Sequence, residues 1–275
     1  MADESPVFMF DGSDSEMGQA SQKARETFRY FWREMAWERR RIVPALEVAV
    51  VKAAFTDDPG TIPTGTEVEC EHMWIHEIDF DGDDVSGVLG NSPNGLKSIS
   101  EGDHVTIPLT QVSDWMYAIR GRAYGAYTVN LMRSRMSRSE CAGHDEAWGL
   151  DFGNPTEIAL VPDDFAGSVP SGFLKRLFGR KPTINAATLS ELEHPMSEAM
   201  GDSMREFLSE NPEQVSHADE NGWTMLHHQA LAGSAASIQI LLELGADRSV
   251  KTNRNKTALM LAEKLGWTKV ADLLK

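Results

Sequence analysis

Residues 221–247 read NGWTMLHHQALAGSAASIQILLELGAD, and residues 255–275 read NKTALMLAEKLGWTKVADLLK. The two stretches agree at an offset of 33 residues: Thr224 with Thr257, Leu226 with Leu259 and Gly233 with Gly266, the leucine pairs Leu241-Leu242 and Leu273-Leu274 falling within one position of that register. A fixed period of this length marks stacked supersecondary units, none of which can bury its apolar face alone. Upstream, SEAMGDSMREFLSENPEQV (197–215) supplies Met204, Phe207 and Leu208 where the later copies carry their second-helix leucines, so a worn unit precedes the two clear ones.

The first full copy resembles the ankyrin repeat. Thr224-Met225-Leu226-His227 stands where that family has a Thr-Pro-Leu-His tetrapeptide, Gly233 ends the first helix, and Gly245-Ala246-Asp247 closes the second. The second copy keeps Thr257, Ala258, Leu259 and Gly266 but has Met260 in place of the histidine, which costs a local hydrogen bond and not the fold. The resemblance implies a binding surface, with Asn221, Trp223 and His228 as its candidate residues. In the ankyrin pattern the first histidine of the pair ties the turn, and neighbours on a helix diverge by about 100 degrees, so His227-His228 does not read as a metal pair. Because roughly three units are needed for stability, the array is expected to lean on the N-terminal part of the chain, and a partner to read both.

That N-terminal part has a different grammar. From Ser15 to about Arg40, Met17, Ala20, Ala24, Phe28, Phe31 and Met35 recur at three- and four-residue steps, which predicts an amphipathic helix ended by Arg39-Arg40-Arg41 and Pro44. The period then drops to two. Leu46 to Phe55 reads as a strand closed by the Asp57-Asp58-Pro59-Gly60 turn. Val68 to Phe80 would put Cys70, His72, Trp74, His76, Ile78 and Phe80 on one face and Glu67, Glu69, Glu71 and Glu77 on the other. Asp81-Gly82 makes a hairpin into Val85 to Leu89, and His104 to Leu109 is a further strand. The segment from Asp114 to Met136 reads as lying after the sheet, with a break at Arg120-Gly121 and a helix from Ala126; residues 139–165 carry little pattern. The fold class is therefore α+β, an N-terminal antiparallel sheet with packed helices, followed by an all-α ankyrin-repeat array. The expected divisions are a loose lead-in over 1–15, a domain over 16–164, a linker over 165–189 and the repeats over 190–275.

The 275 residues, 41% of them hydrophobic, suffice to bury a core. A net charge of −16 argues against nucleic acid as partner, since backbone affinity comes from lysine and arginine, and favours a protein partner of basic character. No charged leader with an apolar core and no long apolar run is present, so no membrane partner and a cytoplasmic location are expected. The basic residues Lys175, Arg176, Arg180 and Lys181 read as a solvated linker.

Chemistry-bearing clusters are few. Cys70 and His72 are weak candidates for a metal, and His76, four positions from His72, is beyond reach of an ion held by that pair. Asp79, Asp81 and Asp83 mimic calcium-loop spacing, but Asp84 and Gly90 stand where a glycine and a glutamate are needed. Cys141 with His144 is a lone pair. No phosphate loop, dinucleotide fingerprint, nucleophile elbow or zinc-protease helix occurs, and no cofactor is expected.

Glu71, His72 and Trp74, Gly87, Asn91 and Pro93, Gly102 and Asp103, Asp114 and Trp115, Gly125 and Tyr127 together resemble an uncharacterised bacterial family, YegJ-like, over roughly residues 17–136. The resemblance brings no reaction with it. Trp74 and Trp115 read as large anchors and candidate binding residues. Glu71, His72 and Asp114 are the polar matches able to move protons, although regular strand geometry would turn Glu71 and His72 to opposite faces. Three readings follow: a protein-interaction module, an immunity-type protein masking a basic toxin, and a metal-dependent hydrolase using Glu71, His72 and Asp114.

Overall fold

A computed structural model describes residues 15–58, 70–162, 165, 189 and 192–275. The expected lead-in, Pro59-Gly60 of the turn, the first residues of the Val68 strand and the basic linker lie outside the described residues. The chain divides into two units, Met1–Phe31 with Ile42–Leu160 and Trp32–Arg41 with Val161–Lys275. Helix α1 (Ser15–Glu38) gives its residues up to Phe31 to the first and the rest to the second.

In the first unit, β1 (Val48–Phe55), β2 (Glu71–Phe80), β3 (Asp84–Leu89), β4 (His104–Pro108), β5 (Val112–Ile119) and β6 (Arg122–Gly125) form an antiparallel sheet in the order β4-β3-β2-β1-β5-β6. The stretch expected to follow the sheet thus supplies two of its strands. Its break at Arg120-Gly121 is a hairpin turn, both residues having positive φ (51° and 70°), the geometry that matches the twist of paired strands. β5 lies inside the sheet, between β1 and the edge strand β6.

One face of the sheet receives α1. Ala24, Phe28 and Phe31 are fully buried; Phe28 meets Phe80 edge-on at 5.1 Å, Phe31 lies 5.9 Å from Trp115, and Trp115 Nε1 donates to Ala24 O at 2.8 Å. Burying side chains of this size contributes about 1.5–3 kcal/mol each. A Cβ on Gly125, whose φ is +76°, would fall 2.4 Å from the Trp115 ring, so that close approach requires glycine. The opposite face holds a second core of Met116, Ala118, Ala123, Ala126, Val129, Leu150 and Phe152, with Val48, Val50, Trp74 and Trp148 packed against it. Its cover comes from α2 (Tyr127–Arg133) and α3 (Arg138–Trp148), the latter opened by a Ser137–Glu140 capping box in the stretch that carried little pattern.

The expected single face of β2 is broken. Register shifts between His76 and Asp79, and Glu77 takes a positive φ of 53°. This bulge puts Ile78 and Phe80 on the side of Met73 and Ile75, and leaves His72, Trp74 and His76 on the other.

The second unit is helical. Three helix pairs follow one another: α4 (Pro195–Ala199) with α5 (Gly201–Glu210), α6 (Met225–Leu231) with α7 (Ala235–Glu243), and α8 (Ala258–Leu265) with α9 (Thr268–Leu274). The worn unit is a real pair, but Leu208 alone of its expected core residues is fully buried; Phe207 is half-exposed. Between pairs, Asn253 N donates to Asn221 O at 2.9 Å and Asn253 Nδ2 to Glu220 O at 2.9 Å, joining successive finger loops. The end of α1 belongs to this unit: Arg33 Nη1 donates to Leu192 O at 2.9 Å and its guanidinium lies over Trp267 at 5.4 Å, while Trp37 stacks on His194 at 5.2 Å.

Candidate functional site

On the sheet face away from α1, the pairing of β1 with both neighbours sets Lys52 opposite Asp114 on one side and Trp74 on the other. All three therefore share a face. Lys52 is buried, with its ammonium 5.3 Å from the centre of the Trp74 ring. Burial pulls its pKa down and the Asp114 charge pulls it back. Asp114 is fully buried: Oδ1 accepts the backbone N–H of Trp115 and Tyr127, each at 2.9 Å, and Oδ2 accepts Thr128 N at 2.7 Å and Thr128 Oγ1 at 2.6 Å. Burial pushes its pKa up, against these donors and Lys52. Its three bonds to Tyr127 and Thr128 anchor α2, which opens on a left-handed Ala126 with no side-chain cap of its own.

His72, opposite Ala54, shares this face by alternation along β2, and a bulge in β5 at Ser113 brings that side chain to it. His72 Nδ1 lies 2.9 Å from Ser113 Oγ, which donates to Lys52 O at 3.1 Å. That hydroxyl proton is thus committed, so Nδ1–H donates to Ser113. Burial, aided by the Lys52 charge, lowers the His72 pKa to about 4. Neutral at pH 7, the imidazole is a packed hydrogen-bonding group. Glu71, opposite Phe55, belongs to the α1 face and turns to a loop: it accepts Asn94 N at 2.7 Å, Gly95 N at 2.5 Å and Leu96 N at 3.0 Å. Burial notwithstanding, these donors hold it below the ordinary carboxylate value. The fold therefore brings His72 near Lys52 and Asp114 but does not bring Glu71 to them.

Lys52 went unremarked in the sequence, though a lone lysine among the apolar residues of VAVVKAAF was the signal available. Trp115 is wholly internal and presents nothing to a partner; Trp74 is half-buried, edge-on to Trp148 at 6.3 Å. Among the described residues no group of three or more His, Cys, Asp or Glu could hold a metal. Cys70 is half-buried and burial raises its thiol pKa. Asp81 accepts Asp83 N and Asp84 N at 2.9 and 2.8 Å, which shapes the hairpin. Cys141 Sγ donates to Arg133 O at 3.1 Å, whereas His144 Nδ1 lies 3.0 Å from Asp145 Oδ1.

The repeat unit has a more open candidate. Trp223, half-exposed, lies 5.1 Å from exposed His228, ring to ring, beside exposed Asn221. The base beneath is rigid: His227 Nδ1 accepts Thr224 N at 3.1 Å, and Nε2 lies 3.1 and 3.2 Å from Val250 O and Lys256 O in the next finger. The charges are segregated. Residues 193–220 hold eight acidic side chains and one basic, Arg205, whereas residues 247–275 hold three acidic and seven basic.

A sheet domain followed by three ankyrin-type helix pairs defines the class. The model of the family described as "Uncharacterized protein conserved in bacteria (DUF2314)" matches residues 14–152, and that of ankyrin repeats in three copies matches residues 196–275. The chain belongs to the DUF2314 family, with ankyrin repeats following the family's domain. It is 40% identical over 276 residues to NMB1133/NMB1171 of Neisseria meningitidis serogroup B, a protein named for its ankyrin repeats, with 100% of this chain and 99% of that one covered. YegJ of Escherichia coli K12 is 30% identical over 80 residues, 29% of this chain and 46% of that protein. The human NAD-capped RNA hydrolase NUDT12 is 40% identical over 68 residues, 25% of this chain and 15% of that enzyme. No described helix is long and apolar enough to cross a membrane.

Proposed function

We propose that this chain is a protein-interaction module whose repeat fingers make the primary contact through Trp223, His228 and Asn221. The observation that carries this reading is the Trp223–His228 ring pair, 5.1 Å apart, held at the surface on a base fixed by His227. An aromatic anchor ringed by polar groups is what a binding hot spot requires. The segregated charge refines the partner expected from net charge alone: acidic Asp219 and Glu220 favour basic groups at the first finger, and Arg248 and Lys251 favour acidic groups at the second. Cross-linking in native lysate followed by mass spectrometry tests this; Trp223→Ala and His228→Ala should each lose the partner captured by the parent protein. Capture undiminished in both would sink the reading.

The immunity-type alternative rests on the −16 charge, with exposed carboxylates such as Asp57, Glu77 and Asp79 in the first unit. It requires a basic toxin whose binding weakens steeply with salt and survives both finger substitutions. The hydrolase reading has no assembled Glu71/His72/Asp114 set to support it.

A further inference from the structure

Asn94-Gly95 lies in the exposed loop between β3 and β4, and the Gly95 amide donates to Glu71 Oε1 at 2.5 Å. An asparagine followed by glycine is prone to one spontaneous reaction. The glycine nitrogen attacks the asparagine Cγ, a ring C–N bond forms, the Cγ–Nδ2 bond breaks, and ammonia leaves with the proton from the glycine amide. Water then opens the succinimide to aspartate or isoaspartate. The step needs a glycine amide able to lose its proton and free to swing towards Cγ.

We propose that Asn94 is a modification site whose rate Glu71 controls: the carboxylate guards the Asn94-Gly95 bond against deamidation. Two features of the geometry act in the same direction. The negative charge beside Gly95 N–H disfavours the amide anion that attacks. The amides on either side, Asn94 N at 2.7 Å and Leu96 N at 3.0 Å, donate to the same carboxylate, so the backbone cannot rotate without breaking several charge-assisted bonds at once. The loop is held again just beyond, where Asp57 accepts Lys97 N at 2.9 Å and Ser98 N at 2.8 Å. Deamidation would add a negative charge beside both carboxylates, and an isoaspartate would lengthen the backbone by one atom. Either change loosens the loop from Glu71 irreversibly, which makes the pair a one-way timer on this end of the sheet.

The test compares two Asn-Gly bonds in one molecule. The full chain and its Glu71→Gln and Glu71→Ala variants are aged at pH 8, and deamidation at Asn94 is read by peptide mass spectrometry as a ratio to Asn221-Gly222. Hydrogen exchange on the same samples reports whether β1 and β2 stay protected. The ratio should rise about tenfold or more in Glu71→Ala, the factor for losing one charge-assisted hydrogen bond, and by an intermediate amount in Glu71→Gln. An unchanged ratio with both strands protected overturns the proposal. So does a lower ratio, which would make Glu71 the base that promotes the reaction. Loss of β2 protection in both variants overturns it equally, by showing that Glu71 holds the strand and not the loop.

Discussion

Asp114 on β5 caps a helix that begins at Tyr127: its Oδ2 lies 2.7 Å from Thr128 N and 2.6 Å from Thr128 Oγ1. A buried carboxylate with three of its four bonds directed at a helix N-terminus, and a buried lysine opposite it on the neighbouring strand, acts as a structural rivet. Asp114→Ala strands Lys52 without its counter-charge and leaves α2 open, so the first unit should lose about 3–5 kcal/mol. Thr128→Val removes the hydroxyl alone and should cost about 1 kcal/mol. Urea midpoints from tryptophan fluorescence distinguish them; equal small losses would show that the cap contributes little.

His72 ties the stability of the same unit to pH. Its folded pKa of about 4 lies below the ordinary imidazole value of 6.5, so the unfolded chain binds the proton more readily. The contribution is therefore complete above about pH 6.5 and is lost as pH falls towards 4, up to about 3 kcal/mol in all. His72→Gln should flatten this part of the stability profile. A slope between pH 6.5 and 4 that survives the substitution would assign it to other groups.

How far these roles were legible depended on whether the signal was local. The 33-residue register showed the helix pairs directly, because each repeat makes its own turn with its own Thr and Gly. The amphipathic α1 was visible for the same reason. β5 and β6 were not, since DWMYAI is buried on both faces and carries no alternation to read. The bulge at Glu77 reversed half of β2, which only pairing with β3 determines. Asp114 looked like a proton-transfer residue because the amides it satisfies come from 13 and 14 positions away. Lys52 was missed for want of any visible partner in the sequence.

Trp37 should prove as important to the repeats as any repeat residue. It is fully buried, stacks on His194 at 5.2 Å, and belongs to the second unit although 157 residues of chain separate it from Pro195, the start of the first helix pair. Trp37→Ala is expected to cost about 3–5 kcal/mol, as for other large aromatic truncations. A fragment of residues 192–275, lacking Arg33 and Trp37, should lose hydrogen-exchange protection in α6 to α9. Full protection in that fragment would show that the three helix pairs need no help from α1.

His227 makes a sharper pH probe, because its counterpart Met260 cannot titrate. Nδ1 accepts the Thr224 N–H, so the proton of the neutral ring sits on Nε2, facing Val250 O and Lys256 O. A second proton would place an N–H against the Thr224 N–H and undo the cap of α6. Burial lowers the His227 pKa, with the carbonyl bonds opposing, so the cap is complete above about pH 6.5 and weakens as pH falls. Thr257 instead caps α8 with its own hydroxyl, which accepts Met260 N at 3.3 Å and is indifferent to pH over this range. Lowering pH from 7 to 5 should therefore cost α6 hydrogen-exchange protection before α8. His227→Asn, which keeps an acceptor near Thr224 but does not titrate, should bring the two helices to the same pH response. A preferential loss in α6 that persists in this variant would place the sensitivity elsewhere, His194 being the first group to examine: its Nδ1 accepts Met196 N at 3.1 Å at the start of α4 in the same way.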